Sequence, residues 1–258
     1  MIQNPKLGAQ LFTLRNFLKT YEDTAETFRF LSEIGIRVIQ ISGIGPIPQE
    51  QVAELVTRYN MEVCGTHIDY NRLRDDTDTV IAEHRLINCN CIGIGSMPML
   101  YQFTQEGLDT FLQEVGVIGK KLKAASMQFT YHNHAFELRQ YDGRRILDIL
   151  MEDTEPDDLH FVLDTYWLQY GGVNPVEYIH KAAGRMEICH FKDYQFTDDG
   201  PNFTEIGTGN LNLDACYRAC RETGVEYIVI EQDICEMGEK ESMALSYKNL
   251  CEIAARNA

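Results

Sequence analysis

The stretch Thr130–Glu137, Thr-Tyr-His-Asn-His-Ala-Phe-Glu, sets two imidazoles and a carboxylate side by side. As the end of a β-strand it alternates, with Gln128, Thr130 and His132 on one face and Met127, Phe129 and Tyr131 on the other. The apolar face suits a half-buried strand, and the polar face ends in an imidazole. Later strand-like runs close the same way: Val162-Leu163-Asp164, Ile188-Cys189-His190 and Val229-Ile230-Glu231. Successive strands that each end in a group able to ligate a metal are hard to account for by packing, and they read as one site. For one inward histidine, a satisfied polar residue is the simpler explanation; the alignment of four strand ends favours a metal. Two imidazoles with two carboxylates suit Mn²⁺, Zn²⁺, Co²⁺ or Fe²⁺ better than Mg²⁺ or Ca²⁺. A divalent ion there polarises a carbonyl or hydroxyl, so that the neighbouring carbon can lose a proton to a carboxylate or histidine.

The elements that must position these groups follow a regular rhythm. Strands are expected over Leu7–Thr13, Val38–Ser42, Glu62–His67, Cys91–Ser96, Met127–His132, His160–Asp164, Glu187–Phe191 and Tyr227–Glu231. Helices are expected over Glu22–Ile34, Pro48–Tyr59, Asp75–Ile87, Gln105–Lys123, Asp142–Met151, Asn174–Ala183, Leu213–Thr223 and Lys240–Arg256. Apolar spacing such as Ala25, Phe28, Leu31 and Ile34 supports them, as do Gly35 and Gly224 as stops and Asn174-Pro175 as a start. Strands alternating with helices pair in parallel through right-handed crossovers, the α/β class. Eight such units close most simply into a single (β/α)8 TIM barrel spanning residues 1–258 as one domain. The competing open doubly wound sheet lacks a Gly-x-Gly-x-x-Gly turn after the first strand. In a barrel all strand carboxyl ends meet at one rim, which brings His67, His132, Asp164, His190 and Glu231 together.

Composition narrows the function classes. A formal charge of −16 argues against a partner read through its phosphate backbone, so nucleic acid is not expected. No apolar run of about 20 residues exists, and no membrane span is expected. Met1-Ile2-Gln3-Asn4-Pro5-Lys6 lacks the apolar segment of a secretory signal. The eight cysteines, among them Cys89 and Cys91, and Cys216 and Cys220, show neither zinc-pair nor disulfide spacing. Reduced thiols in a cytoplasmic protein are expected. A small-molecule substrate is the expected partner, and a homo-oligomer is left open.

The combination Tyr-His-Asn-His-x-Phe-Glu, Leu-Asp-Thr-Tyr-Trp with Gly-Gly-Val-Asn-Pro, His-Phe-Lys-Asp and Ile-Glu-Gln-Asp resembles the xylose-isomerase-like TIM barrels, the sugar phosphate isomerase/epimerase group. The resemblance covers essentially the whole chain and implies a divalent metal held by His132, Asp164, His190 and Glu231. In the ketose epimerases of this group the first ligand is a glutamate, whereas this chain has His132, and Trp167 stands where those epimerases have a histidine. The resemblance further implies Glu231 as the metal-bound catalytic glutamate. His134 and Glu137 lie in the loop beyond the fifth strand, as substrate contacts or proton relays; a loop salt bridge competes. Lys192 would neutralise an enolate or hold a phosphate, and Asp193 would contact substrate, against a surface ion pair between them. His67 and Trp167 are expected against the sugar, with core packing as the alternative. Gln40 stands where relatives often carry an acid. Glu205-Ile-Gly-Thr-Gly-Asn, like the family's glycine loop, reads as a tight turn.

The expected function is a metal-dependent isomerase or epimerase of a sugar or sugar derivative. The same site could run a lyase, losing a β-hydroxyl next to a ketone, as in the inosose dehydratases that this fold also hosts. A non-catalytic sugar-binding barrel is the alternative of another class.

Overall fold

The computed structural model describes residues 4–258. Met1–Gln3, part of the stretch read as non-secretory, lie outside the described residues. Eight parallel strands close into a barrel in chain order: β1 Lys6–Gln10, β2 Val38–Ile41, β3 Glu62–His67, β4 Cys91–Ile94, β5 Gln128–His132, β6 His160–Asp164, β7 Ile188–Phe191 and β8 Tyr227–Ile230, which pairs back onto β1. This is a (β/α)8 TIM barrel, as the alternation of strand and helix predicts. The outer helices include Tyr21–Glu33, Gln49–Arg58, Thr77–Leu86, Gln105–Ala124, Ile146–Glu152, Pro175–Lys181, Leu213–Thr223 and Glu239–Arg256. Among the described residues, no helix is long and apolar enough to cross a membrane.

Several helix ends follow local chemistry. Thr20 and Asp23 form a capping box at the first helix, and Gly224 takes a left-handed conformation at the end of Leu213–Thr223. The expected strand over Leu7–Thr13 stops at Gln10. There the Gln10 side chain accepts the Phe12 N–H and turns the chain into a 3₁₀ segment, Leu11–Phe17. The helix expected from Asp142 begins instead at Ile146, because Asp142 and Gly143 adopt positive φ in a small hairpin turn. An antiparallel hairpin, Asp193–Thr197 with Gly200–Thr204, rises beyond β7 and was not expected as strand.

Two apolar layers hold the barrel. Outward residues such as Ile92, Phe129, Tyr131, Phe161 and Phe191 pack against helix residues such as Phe111 and Leu122, each large side chain stabilising by about 1.5–3 kcal/mol. Inside the barrel a smaller cluster, Val38, Cys64, Cys91, Val162, Ile188 and Val229, fills the space below the rim. Gly93 also faces inward: a Cβ there would overlap Thr130 Oγ1 and lie 2.8 Å from the Thr66 carbonyl. Above this layer the interior turns polar. All eight cysteines are free thiols.

Candidate metal centre and its surroundings

His132 closes β5 with its ring directed into the barrel mouth. Its Nδ1 is 2.9 Å from the Gly95 carbonyl, an acceptor, so Nδ1 carries the proton and Nε2 is left with a free lone pair. Nε2 lies 3.4 Å from Asp164 Oδ2 and 3.6 Å from Glu231 Oε2. Asp164 ends β6 and also caps the following short helix, Thr165–Tyr170, where Oδ1 accepts the Trp167 N–H at 3.1 Å. The cap occupies one carboxylate oxygen and leaves Oδ2 for the site. His190 Nδ1 stands 2.6 Å from Glu231 Oε2 and 4.0 Å from Asp164 Oδ2. Its Nε2 meets Gln40 Oε1 at 2.5 Å, and Gln40 Oε1 also accepts from Gln10 Nε2. Nε2–H therefore donates to the amide, and Nδ1, which faces Glu231 Oε2, is the nitrogen directed at the site.

The four strand ends expected at one rim are thus brought together, their donor atoms within 4.8 Å of one another and all four residues buried. Two imidazole nitrogens fixed by second partners and two carboxylate oxygens are a donor set that fits a divalent transition ion. Neighbouring side chains lock the rim. Asn133 Oδ1 accepts the Asp164 N–H, Thr165 Oγ1 accepts the Lys192 N–H, and Thr13 Oγ1 accepts the Gln232 N–H.

Electrostatics follow from burial and these contacts. Burial opposes the charge of Glu231, yet Lys192 and His190 outweigh it and hold the carboxyl well below the usual range. Burial, then His132 and His190, push His67 well down. Burial, then His132 and Lys192, bring His134 to about 3. Both imidazoles are neutral.

A cavity of about 310 Å³ opens above the cluster, lined by Phe12, Ser42, His67, Gly95, Ser96, His132, His134, Glu231 and Asp233. His67 and His134 both lie on its wall. His67 arrives there through a shift of register between β2 and β3, Ile39 facing Val63 but Gln40 facing Gly65.

Residues 28–248 match the model of the family described as xylose isomerase-like TIM barrel. The chain belongs to that family. Among curated relatives, an inosose dehydratase of Clostridium beijerinckii is 23% identical over 196 residues, 74% of this chain. The chain spans about half of that relative's length, 52%. Among solved structures, a sugar phosphate isomerase/epimerase from Parabacteroides distasonis superposes with a TM-score of 0.81 at 18% identity, covering 96% of this chain and 98% of that one. The IOLI protein with a binding zinc atom gives a TM-score of 0.73 at 13% identity, covering 98% of this chain and 99% of that one.

Three residues expected near the substrate are held by protein groups in the structure. Glu137 was expected toward the substrate, but its carboxylate accepts from Tyr131 Oη at 2.6 Å and from the His134 N–H at 2.9 Å, behind the strand. Burial pushes this carboxyl up to about 7. Asp193 was expected to touch substrate; its carboxylate instead accepts the backbone N–H groups of Tyr194, Gly207, Gly209 and Leu211. The glycine loop of this xylose isomerase-like barrel is thereby tied to its hairpin and binds its own aspartate. Lys192 was expected as a catalytic cation, but it is fully buried and absent from the cavity wall. Burial opposes its charge, and Asp164, Glu231 and Asp233 hold the ammonium above its ordinary range.

Trp167 packs beside His134 at 5.3 Å between ring centroids and against Tyr166, Tyr170 and Phe203, with Nε1 buried and unpaired. Asp233, Gln10 and Asn133 were missed by sequence reasoning. Asp233 and Gln10 carried a usable signal: each keeps the inward parity of its strand, Asp233 with Glu231 and Gln10 with Gly8.

Proposed function

We propose that this protein is a metal-dependent lyase that removes water from a hydroxylated keto-sugar or keto-cyclitol. The reading rests on Glu231. Of the two carboxylates in the donor cluster, it alone lines the cavity. Its Oε2 faces His190, and Oε1 hydrogen-bonds to no described protein group. A divalent ion at His132, Asp164, His190 and Glu231 would polarise the substrate carbonyl.

Glu231 Oε1 is then the base that takes the proton from the carbon beside the carbonyl. The same carboxyl can return that proton to the departing β-hydroxyl on the same face, so that water leaves and the carboxylate is regenerated. His67 and His134, both neutral, orient hydroxyls on the wall. Trp167 Nε1, buried without a partner, backs His134. Glu137 fixes the His134 backbone and moves no proton.

One-base chemistry suits this wall better than epimerisation by two metal-bound carboxylates, because the β5 donor is the His132 imidazole, Glu137 faces away, and the other carboxylate on the wall, Asp233, is paired with Lys192. The name of the curated relatives, inosose dehydratase, supports the same reading. A second reading, one-base isomerisation of a sugar, is favoured by the neighbours named sugar phosphate isomerase/epimerase. Incubation with keto-sugars and inososes in deuterated water decides among them. Water loss marks the lyase. Deuterium uptake with an isomeric product and no water loss marks the isomerase. Neither, with sugar bound, leaves a non-catalytic sugar-binding barrel. Glu231→Gln should lower turnover roughly 10²–10⁴-fold with the fold intact, and an unchanged rate would overturn Glu231 as the base.

A further inference from the structure

The oxygens that face the candidate ion also face a cation the chain already carries. Lys192 Nζ donates to Asp164 Oδ2 at 3.4 Å and lies 3.6 Å from Glu231 Oε2. These are the two oxygens that converge on His132 Nε2 and His190 Nδ1. A third carboxylate is closer: Asp233 Oδ2 stands 2.6 Å from Nζ. The Trp167 and Phe203 rings also flank the ammonium, with centroids at 5.1 and 5.3 Å. The lysine is completely buried, whereas Asp233 lies on the cavity wall.

An ammonium and a divalent ion on the same pair of oxygens repel each other in a site of low polarity, and each weakens the other's hold. Asp233 supplies the ammonium with a partner outside the donor cluster. It does so from a fixed backbone, since Arg15 donates to both the Phe12 and Asp233 carbonyls at 2.9 Å.

We propose that Asp233 is a positioning residue that draws the Lys192 ammonium toward itself and limits its hold on Asp164 Oδ2 and Glu231 Oε2, so that a divalent ion can take those oxygens. The proposal rests on the metal reading of the site. It makes Lys192 and Asp233 one unit: the lysine offsets the negative charge of the cluster, and the aspartate limits how far the lysine occupies it.

The test is calorimetric titration of Mn²⁺ into chelator-stripped protein at fixed pH and salt, for the wild type, Lys192→Met, Asp233→Asn, Asp233→Glu and the Lys192→Met/Asp233→Asn pair. Asp233→Asn should weaken Mn²⁺ binding roughly tenfold or more, while Asp233→Glu, which keeps a carboxylate at the mouth, stays within about threefold of wild type. Lys192→Met should bind Mn²⁺ at least as tightly as the wild type. In the Lys192→Met background Asp233→Asn should change affinity by no more than about threefold, because its route of action is gone. An equal loss in both backgrounds would mean that Asp233 acts on the ion by its charge alone, and would overturn the proposal. So would weaker binding by Lys192→Met, a result that stands even if Asp233→Asn fails to fold. Absence of Mn²⁺ binding by the wild type would instead remove the metal reading itself.

Discussion

Removing the ion should lower the melting temperature, and the structure sets the scale. A tetrahedral ion with bonds near 2.1 Å requires ligand atoms about 3.4 Å apart. His132 Nε2 lies 3.4 Å from Asp164 Oδ2 and 3.6 Å from Glu231 Oε2, and His190 Nδ1 lies 4.0 Å from Asp164 Oδ2. The 2.6 Å contact between His190 Nδ1 and Glu231 Oε2 must open, and all four donor atoms already lie within 4.8 Å of one another. The donors are therefore nearly in place in the folded chain and dispersed in the unfolded one, so an ion binds the native state preferentially. At a hundredfold excess over its Kd the ion stabilises by about 2.7 kcal/mol. Each kcal/mol moves the midpoint of a chain of this size by roughly 2–4 °C, so the expected rise is about 5–11 °C. The assay is circular-dichroism melting of stripped protein with and without Mn²⁺ or Zn²⁺, beside metal content by elemental analysis. Asp164→Ala should lose this increment along with the metal. It should also melt lower when stripped, by about 1 kcal/mol, because the Trp167 N–H loses its cap. A wild-type midpoint indifferent to the ion, or an Asp164→Ala protein with the full shift, would refute the reasoning.

Two further outcomes follow from neighbouring residues. Burial raises the Glu137 carboxyl from 4.5 to about 7, so the folded chain holds that proton longer than the unfolded chain. Its contribution is therefore lost as pH rises from about 4.5 to about 7, on the order of 3 kcal/mol, and is flat above. Stripped Glu137→Gln should lack that part of the melting-versus-pH slope and keep its metal content, and a slope equal to wild type would contradict the burial argument. Gly93→Ala should push Thr130 and thus β5 outward beneath His132, losing roughly 1–3 kcal/mol of stability and weakening Mn²⁺ binding together; a stable variant with unchanged affinity would show that the strand has room to give.

What could be read from the sequence was whatever repeats with the strand period. Gln128, Thr130 and His132 face inward and Phe129 and Tyr131 outward, as alternation requires, and the barrel then carries Asp164, His190 and Glu231 to the same rim without further assumptions. Lys192 and Asp233 keep the parity of His190 and Glu231, so their inward direction was also legible. What was not legible is whether an inward group meets substrate or another side chain. Lys192 meets three carboxylates, which lie on strands and loops far apart in sequence. Asp193 and Glu137 look chemically available in a string of letters, and only the folded loops reveal the backbone N–H groups that occupy them. His67 shows the limit from the other side. It has the same parity as Val63, which faces the outer core, and strict alternation from there would send His67 outward too. The register shift at Cys64 turns it into the cavity, and the missing side chain at Gly65 makes room, since a Cβ there would lie 2.7 Å from Ile188 Cδ1. A single irregular residue thus decides whether an imidazole joins the site. Irregular residues have no period, so a pattern argument cannot find them.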